Sequence, residues 1–137
     1  MEVIIISEVI IGNRKLKNLI TNKGLALFIQ LMTGGISQWA LPQYVPQTIA
    51  IGTGTTEAKE TDTSLESEYA RASYTNINYS GSCVTFESTF EFDEDVEITE
   101  AGLVASDNLY SRVVFSPIKC EKDGKLEVRW SLCLRRK

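Results

Sequence analysis

The sequence predicts a mainly β protein, an antiparallel β-sandwich or jelly-roll-like barrel with one short α-helix near residues 21–34 and an extended N-terminal arm. Two long segments, Ser82–Phe92 and Lys125–Arg135, alternate apolar and polar residues, as strands with one solvent-facing side do. Turn residues such as Asp123-Gly124 separate neighbouring segments and indicate hairpins. A run of antiparallel hairpins closes most simply as a sandwich or barrel.

The length of 137 residues suits one domain with one core. Hydrophobic residues make up 43% and charged residues 23% of the chain, which is typical of a folded globular protein. We expect residues 1–12 to form an N-terminal strand or arm and residues 13–137 to form a single β-domain.

The first segment, Val3–Ile11, is β-branched almost throughout and predicts a strand or extended arm that is buried on more than one side. An apolar strand of this kind needs a partner, because an unpaired one invites aggregation. The segment Ile36–Pro46 is rich in proline and aromatic residues, which indicates an ordered loop.

One helix is predicted to begin near Thr21 or Asn22, with Asn22 as a possible cap, and to end at Gly34-Gly35. Its apolar residues recur at helical spacing, so we expect one face of the helix to pack on a sheet. The residues of that face are Leu25, Phe28, Ile29 and Met32.

Further strands are predicted along the rest of the chain. Ser80-Gly81 is expected to turn a strand over Tyr69–Tyr79 into the alternating segment that follows it. The other predicted strands are Thr48–Gly52, Ile98–Ala105 and Leu109–Phe115.

Composition disfavours several function classes. The net charge of −4 argues against a nucleic-acid partner, since such proteins concentrate Lys and Arg, and Arg135–Lys137 is interpreted as a solvated tail. The chain has no histidine, the commonest general base and metal ligand, so we expect no enzyme. Gly52–Thr56 lacks the lysine of a phosphate-binding loop, and Asp93–Asp95 matches no calcium-loop spacing. We therefore expect no cofactor and no metal.

The N-terminus has no cationic region or cleavage site of a signal peptide, and no run approaches the roughly 20 apolar residues of a membrane span. We expect a protein made in a cytoplasm that does not enter a membrane. The three cysteines, Cys83, Cys120 and Cys133, show no metal-binding spacing, so reduced thiols are the simplest expectation. A disulfide between strands or subunits stays open.

Several motifs occur in a distinctive order along the chain. They are Thr21–Leu25, Ile49–Thr56, Thr61–Leu65 with Glu68 and Arg71, Ile98–Leu103 and Leu126–Trp130. Together they resemble small structural proteins of tailed bacteriophages, including the particle-attaching N-terminal modules of tail fibres. The resemblance implies a scaffold of glycine turns, strand ends and an Asp/Glu–Arg lock, with no catalytic residues.

The resemblance further implies a non-catalytic virion protein, made in the host cytoplasm, that assembles through contacts with other phage virion proteins. Because no fibre shaft or tip is seen, we expect a tail- or baseplate-associated adaptor or a capsid decoration protein, forming a homo-oligomer, a trimer by the symmetry common in such proteins. The candidate assembly interface consists of apolar residues from two segments. They are Val3, Ile4, Ile5, Ile6, Val9, Ile10, Trp39, Leu41 and Tyr44.

Two alternatives stay open. A carbohydrate-binding module for host-surface attachment would use Trp39, Tyr44 or Tyr110 as stacking residues. A carboxylate-only glycosidase would need two acids about 5–10 Å apart across a cleft, and no spacing in the chain demands such a pair.

Overall fold

The computed structural model describes residues 2–137, which fold into two antiparallel five-stranded sheets packed as a β-sandwich with a single helix. The helix α1 covers Asn22–Leu31. The strands are β1 (Val3–Ile11), β2 (Arg14–Lys17), β3 (Leu19–Ile20), β4 (Thr48–Gly52), β5 (Glu68–Ser73), β6 (Asn76–Ser80), β7 (Cys83–Glu91), β8 (Val96–Ala105), β9 (Asn108–Cys120) and β10 (Lys125–Arg136). The predicted fold class is therefore confirmed, in its sandwich form.

The strand order is β2-β1-β10-β7-β6 in the first sheet, called sheet A, and β3-β9-β8-β4-β5 in the second, called sheet B. The alternation predicted for β7 and β10 places every second side chain in the core between the sheets. Trp130 of β10 is fully buried there, together with Val9 and Ile11 of β1, and Ile49 and Ile51 of β4 face them from sheet B.

Of the two forms predicted for the N-terminal segment, the structure has the strand. β1 pairs antiparallel with β10 over its whole length, from Val3 opposite Arg136 to Ile11 opposite Val128. The segment is therefore part of the sandwich, not an arm detached from it. The apolar character of its second half follows from this position, because Val9 and Ile11 are fully buried in the shared core.

The helix differs from its prediction in extent and orientation. Thr21, not Asn22, is the N-cap, because the Thr21 hydroxyl accepts a hydrogen bond from the Gly24 N–H at 3.0 Å. The α-helix ends at Leu31, and a tighter turn carries the chain to Gly34, whose φ of +66° is the left-handed conformation that glycine tolerates.

The face predicted to pack on a sheet points largely outward. Leu25, Ile29 and Met32 are 43%, 63% and 76% exposed. The helix docks instead through Gly24 and Leu27, because a glycine lets the backbone of α1 come close to β9. A Cβ at position 24 would lie only 2.3 Å from the Tyr110 carbonyl oxygen.

The prediction of one continuous strand over Tyr69–Tyr79 is wrong, because the structure has two strands there. The chain breaks between β5 and β6, so that β5 pairs with β4 in sheet B while β6 pairs with β7 in sheet A. This segment passes from one sheet to the other, with Tyr74 between the two strands packed against the core and stacked on Phe86. The segment Ile36–Pro46 is a loop with one short 3₁₀ turn at Leu41–Gln43.

Candidate functional site

A buried carboxylate lies at the centre of the polar motifs that the sequence singled out. Glu100 of β8 is 0% exposed. Its Oε2 accepts hydrogen bonds from the Gly54 and Ser67 N–H groups at 2.7 and 2.8 Å, and its Oε1 accepts one from the Glu66 N–H at 2.9 Å. One side chain thus accepts hydrogen bonds from backbone N–H groups of two loop segments. These N–H groups have no partner in a neighbouring strand and need another acceptor when they are buried.

The charge of Glu100 is balanced by Arg112 of β9. Arg112 is 2% exposed, and its Nε donates to Glu100 Oε1 at 3.1 Å. Its Nη1 donates to Asp62 Oδ2 at 2.9 Å, so the guanidinium joins the loop that contains Asp62 to sheet B. We call Glu100, Arg112 and Asp62 the buried lock.

Glycines leave room for the lock. A Cβ on Gly52 would lie 2.4 Å from the Ser67 carbonyl oxygen, and a Cβ on Gly54 would lie 2.4 Å from Glu100 Oε2. Thr99 completes the turn, because its hydroxyl donates to the Gly54 carbonyl at 2.7 Å. The Gly52–Thr56 segment is therefore a structural turn that binds a carboxylate of its own chain.

Two neighbouring acids have structural partners as well. Arg71 forms two bonds to the Glu68 carboxylate, at 2.8 and 3.1 Å, and its Nη1 donates to the Ser106 carbonyl oxygen at 2.8 Å. The Glu66 carboxylate accepts hydrogen bonds from the Thr56 hydroxyl and from two backbone N–H groups. These bonds, that of the Thr56 hydroxyl first, lower the pKa of Glu66 below its ordinary value.

The predicted interface residues are divided between core and surface. Val9 is fully buried, and the half-buried group consists of Ile5, Ile6, Ile10 and Tyr44. The exposed ones are Val3 at 56%, Ile4 at 39%, Leu41 at 40% and Trp39 at 93%. The six β1 residues of the predicted set thus lie on one strand, whereas Trp39, Leu41 and Tyr44 lie on the loop Ile36–Pro46.

An apolar groove lies between α1 and the end of sheet A. It has a volume of about 290 Å³, and its walls carry Leu25 and Phe28 from the helix and Ile5, Leu132 and Leu134 from β1 and β10. Side chains alternate between the two faces of a strand, so Ile5 lies on the same inward face as Val9. Leu132 and Leu134 likewise lie on the same inward face as Trp130. We call this groove, with the exposed residues Leu25, Ile29 and Met32 of α1, the apolar end.

The sequence did not identify the apolar end, because the helical spacing of its residues is also the spacing of a buried face. The signal that distinguishes the two faces is Gly24. A glycine inside a short helix marks a close backbone approach, and the face that carries it is the one that docks.

The aromatic residues of the carbohydrate-binding alternative do not form one surface. Tyr110 is 2% exposed, and burial raises the pKa of its hydroxyl to about 12. Tyr44 packs against the core, so Trp39 is the one member of the three that is exposed.

The structure joins two of the cysteines. Cys83 and Cys133 are opposite each other on β7 and β10 and form a disulfide, whereas Cys120 is free and buried. Burial raises the pKa of the Cys120 thiol. The expectation that all thiols are reduced is therefore wrong for this pair.

Within residues 2–137 no cluster of three possible metal ligands occurs, and no helix is long and apolar enough to cross a bilayer. Comparison with known proteins finds no match among protein-family models, curated proteins or solved structures.

Proposed function

We propose that this chain is a non-catalytic structural protein that assembles with other proteins through its apolar end. The setting we propose is the particle of a tailed bacteriophage, where the chain is an adaptor or decoration protein bound to other virion proteins. The motif series described above supports that setting. The apolar end supports the assembly role.

The observation that carries the proposal is the exposure of large apolar side chains on a helix that borders an apolar groove. Ile29 and Met32 are more than half exposed on α1, beside a groove whose walls are mostly apolar. Contiguous apolar surface on a soluble protein marks an interaction site, since water contact with such groups is unfavourable. A partner that covers this surface gains the free energy of burying it.

The positions of the acids support a role without catalysis. The fully buried carboxylate, Glu100, is bound by four donors and has no access to solvent. Glu66, Glu68 and Asp62 hold loops or arginines in place. Directly before β8, Asp95 accepts a hydrogen bond from the Lys122 N–H at 2.9 Å. These carboxylates hold the fold together.

The test uses the double variant Ile29→Ser/Met32→Ser in the phage genome that encodes the chain. Both side chains are exposed, so the variant should fold as the wild type does while its apolar end becomes polar. We expect mass spectrometry of gradient-purified virions to detect the wild-type chain. The amount of the double variant in the virions should be at least tenfold lower, the ratio that a loss of about 1.4 kcal/mol in binding free energy produces.

The matched control is Gln30→Ser, which changes an exposed polar residue of the same helix. This variant should enter virions at the wild-type level. Absence of the wild-type chain from purified virions would contradict the virion setting. Equal incorporation of the double variant and the control would contradict the role of the apolar end.

A further inference from the structure

We infer that the free edge of β1 pairs with the same edge of a second copy of this chain around a two-fold axis. The two sheets A then join into one continuous sheet. The inference goes beyond the proposed function, since it adds a second copy of the chain as a partner and binds it at the edge of β1, which adjoins the groove at Ile5. It concerns a surface other than the outward face of α1.

The first half of β1 has a strand on one side only. β2 pairs with Glu8–Ile11, whereas residues 3–7 pair with β10 alone. The Lys137 N–H donates to the Glu2 carbonyl at 3.0 Å and the Gly12 N–H donates to the Glu127 carbonyl at 2.9 Å, so the even-numbered residues of β1 bond to β10. In an antiparallel ladder the alternate residues bond to the other side. The backbone groups of Val3 and Ile5 therefore point outward from the sheet edge.

The side chains at this edge are apolar on both faces of the sheet. Val3 and Ile5 share the inward face with Val9, while Ile4 and Ile6 lie on the outward face. Proteins guard free edges with charged residues or proline, and Val3–Ile6 contains neither. An edge with free backbone groups and apolar side chains on both faces fits an extended apolar strand.

The geometry of the edge selects the register of a second copy. Asn18 lies beside Ser7, whose hydroxyl donates to Asn18 Oδ1 at 2.6 Å, and so closes the edge at that point. The longest two-fold register that leaves Asn18 in place is centred on Ile4. It sets Val3 opposite Ile5 of the second copy in both directions, and each of these pairs exchanges two backbone hydrogen bonds.

Identical apolar segments face each other in this register, which is the self-complementarity that a two-fold interface requires. The charges beyond the paired segment are complementary too. Glu2, whose carboxylate lies 3.2 Å from Lys137 Nζ of its own chain, extends toward Lys17 of the second copy, an exposed lysine that has no ion pair within residues 2–137. The other free edge of sheet A, β6, is exposed throughout and carries asparagine and serine on one face. It therefore matches β1 less well.

The register makes Ile4 the residue on the two-fold axis. Opposite residues that are not hydrogen-bonded to each other have Cα atoms about 4.5 Å apart, which a disulfide can span. Ile4→Cys should therefore cross-link two copies under mild oxidation. The control Ile10→Cys places a thiol on the same face of the same strand, where β2 covers the edge.

The readout is the intact mass under denaturing, non-reducing conditions. We expect a covalent dimer of Ile4→Cys, twice the chain mass of 15.3 kDa, and a monomer of Ile10→Cys. An Ile4→Cys protein that stays monomeric, or equal cross-linking of both variants, would overturn the two-fold pairing.

A second measurement needs no new cysteine. Val3→Pro removes an N–H that faces the free edge and leaves the bonds to β10 intact, a position that proline tolerates in edge strands. In analytical ultracentrifugation we expect the wild type as a dimer and Val3→Pro as a monomer with an unchanged melting temperature. A wild-type monomer, or the trimer expected from the sequence, would overturn the inference. Failure here with the wild-type chain still present in virions would leave the proposed function standing.

Discussion

The substitution Glu100→Gln tests the buried lock with almost no change in side-chain shape. Each oxygen of Glu100 accepts two hydrogen bonds, so the new amide NH₂ must face two N–H donors whichever way it is oriented. An unsatisfied buried donor costs about 1–3 kcal/mol. The substitution also leaves Arg112 with Asp62 as its one salt-bridge partner within residues 2–137. Breaking a buried pair in this way costs about 3–5 kcal/mol, and we expect a loss of that size in the free energy of unfolding.

Urea unfolding followed by tryptophan fluorescence measures this loss. Trp130 is fully buried and reports unfolding, whereas Trp39 is 93% exposed and contributes little change. With an m-value of about 2 kcal/mol per M, the midpoint of Glu100→Gln should fall by about 2 M. Glu97→Gln, an exposed site on the same strand, should leave the midpoint unchanged. A loss below about 1 kcal/mol for Glu100→Gln would refute the assignment of Glu100 as the residue that holds the loops.

Three further predictions concern other parts of the fold. Gly24→Ala should lower the free energy of unfolding by about 1–3 kcal/mol in the same urea assay, because the added Cβ meets the Tyr110 carbonyl oxygen. Glu66→Gln should lower the melting temperature at pH 7, and this loss should shrink as the pH is lowered below 4.5. The native-state pKa of Glu66 is lowered, so its stabilisation is fully present above the ordinary value of 4.5 and is lost as pH falls through the native value. Thiol titration of the unfolded protein should find one reactive thiol, Cys120, before reduction and three after it.

The sequence predicted the strands well where one face of the strand is buried and the other is wet. β7 and β10 alternate over nine or more residues, and the observed bounds of β10 extend the prediction by one residue. Thr48–Gly52 was predicted without error because it is short, apolar and ended by a glycine turn. In each case the local pattern and the tertiary environment agree.

The sequence could not place residues whose role depends on contacts distant along the chain. Glu100 and Arg112 belong to neighbouring strands, but the three backbone donors that Glu100 binds lie 33 to 46 residues away. The alternation of apolar and polar residues along a strand does not distinguish a buried glutamate from an exposed one. The outward face of α1 was misassigned for a similar reason, since only the contact of Gly24 with β9 determines which face is buried.

The buried lock and the free edge proposed for self-association lie in different sheets, and this separates their tests. The buried lock joins loops to sheet B, whereas the free edge consists of Val3–Ile6 in sheet A. Strand β9 connects the lock to the apolar end, because Arg112 lies two residues from Tyr110, the residue on which α1 docks. Loss of the lock should therefore loosen α1 before it affects β1, which is paired along its length with β10. At urea concentrations below the unfolding midpoint, we expect the amide protons of α1 to exchange faster in Glu100→Gln than in the wild type. Under the same conditions, the double variant Glu100→Gln/Ile4→Cys should cross-link as fully as Ile4→Cys alone.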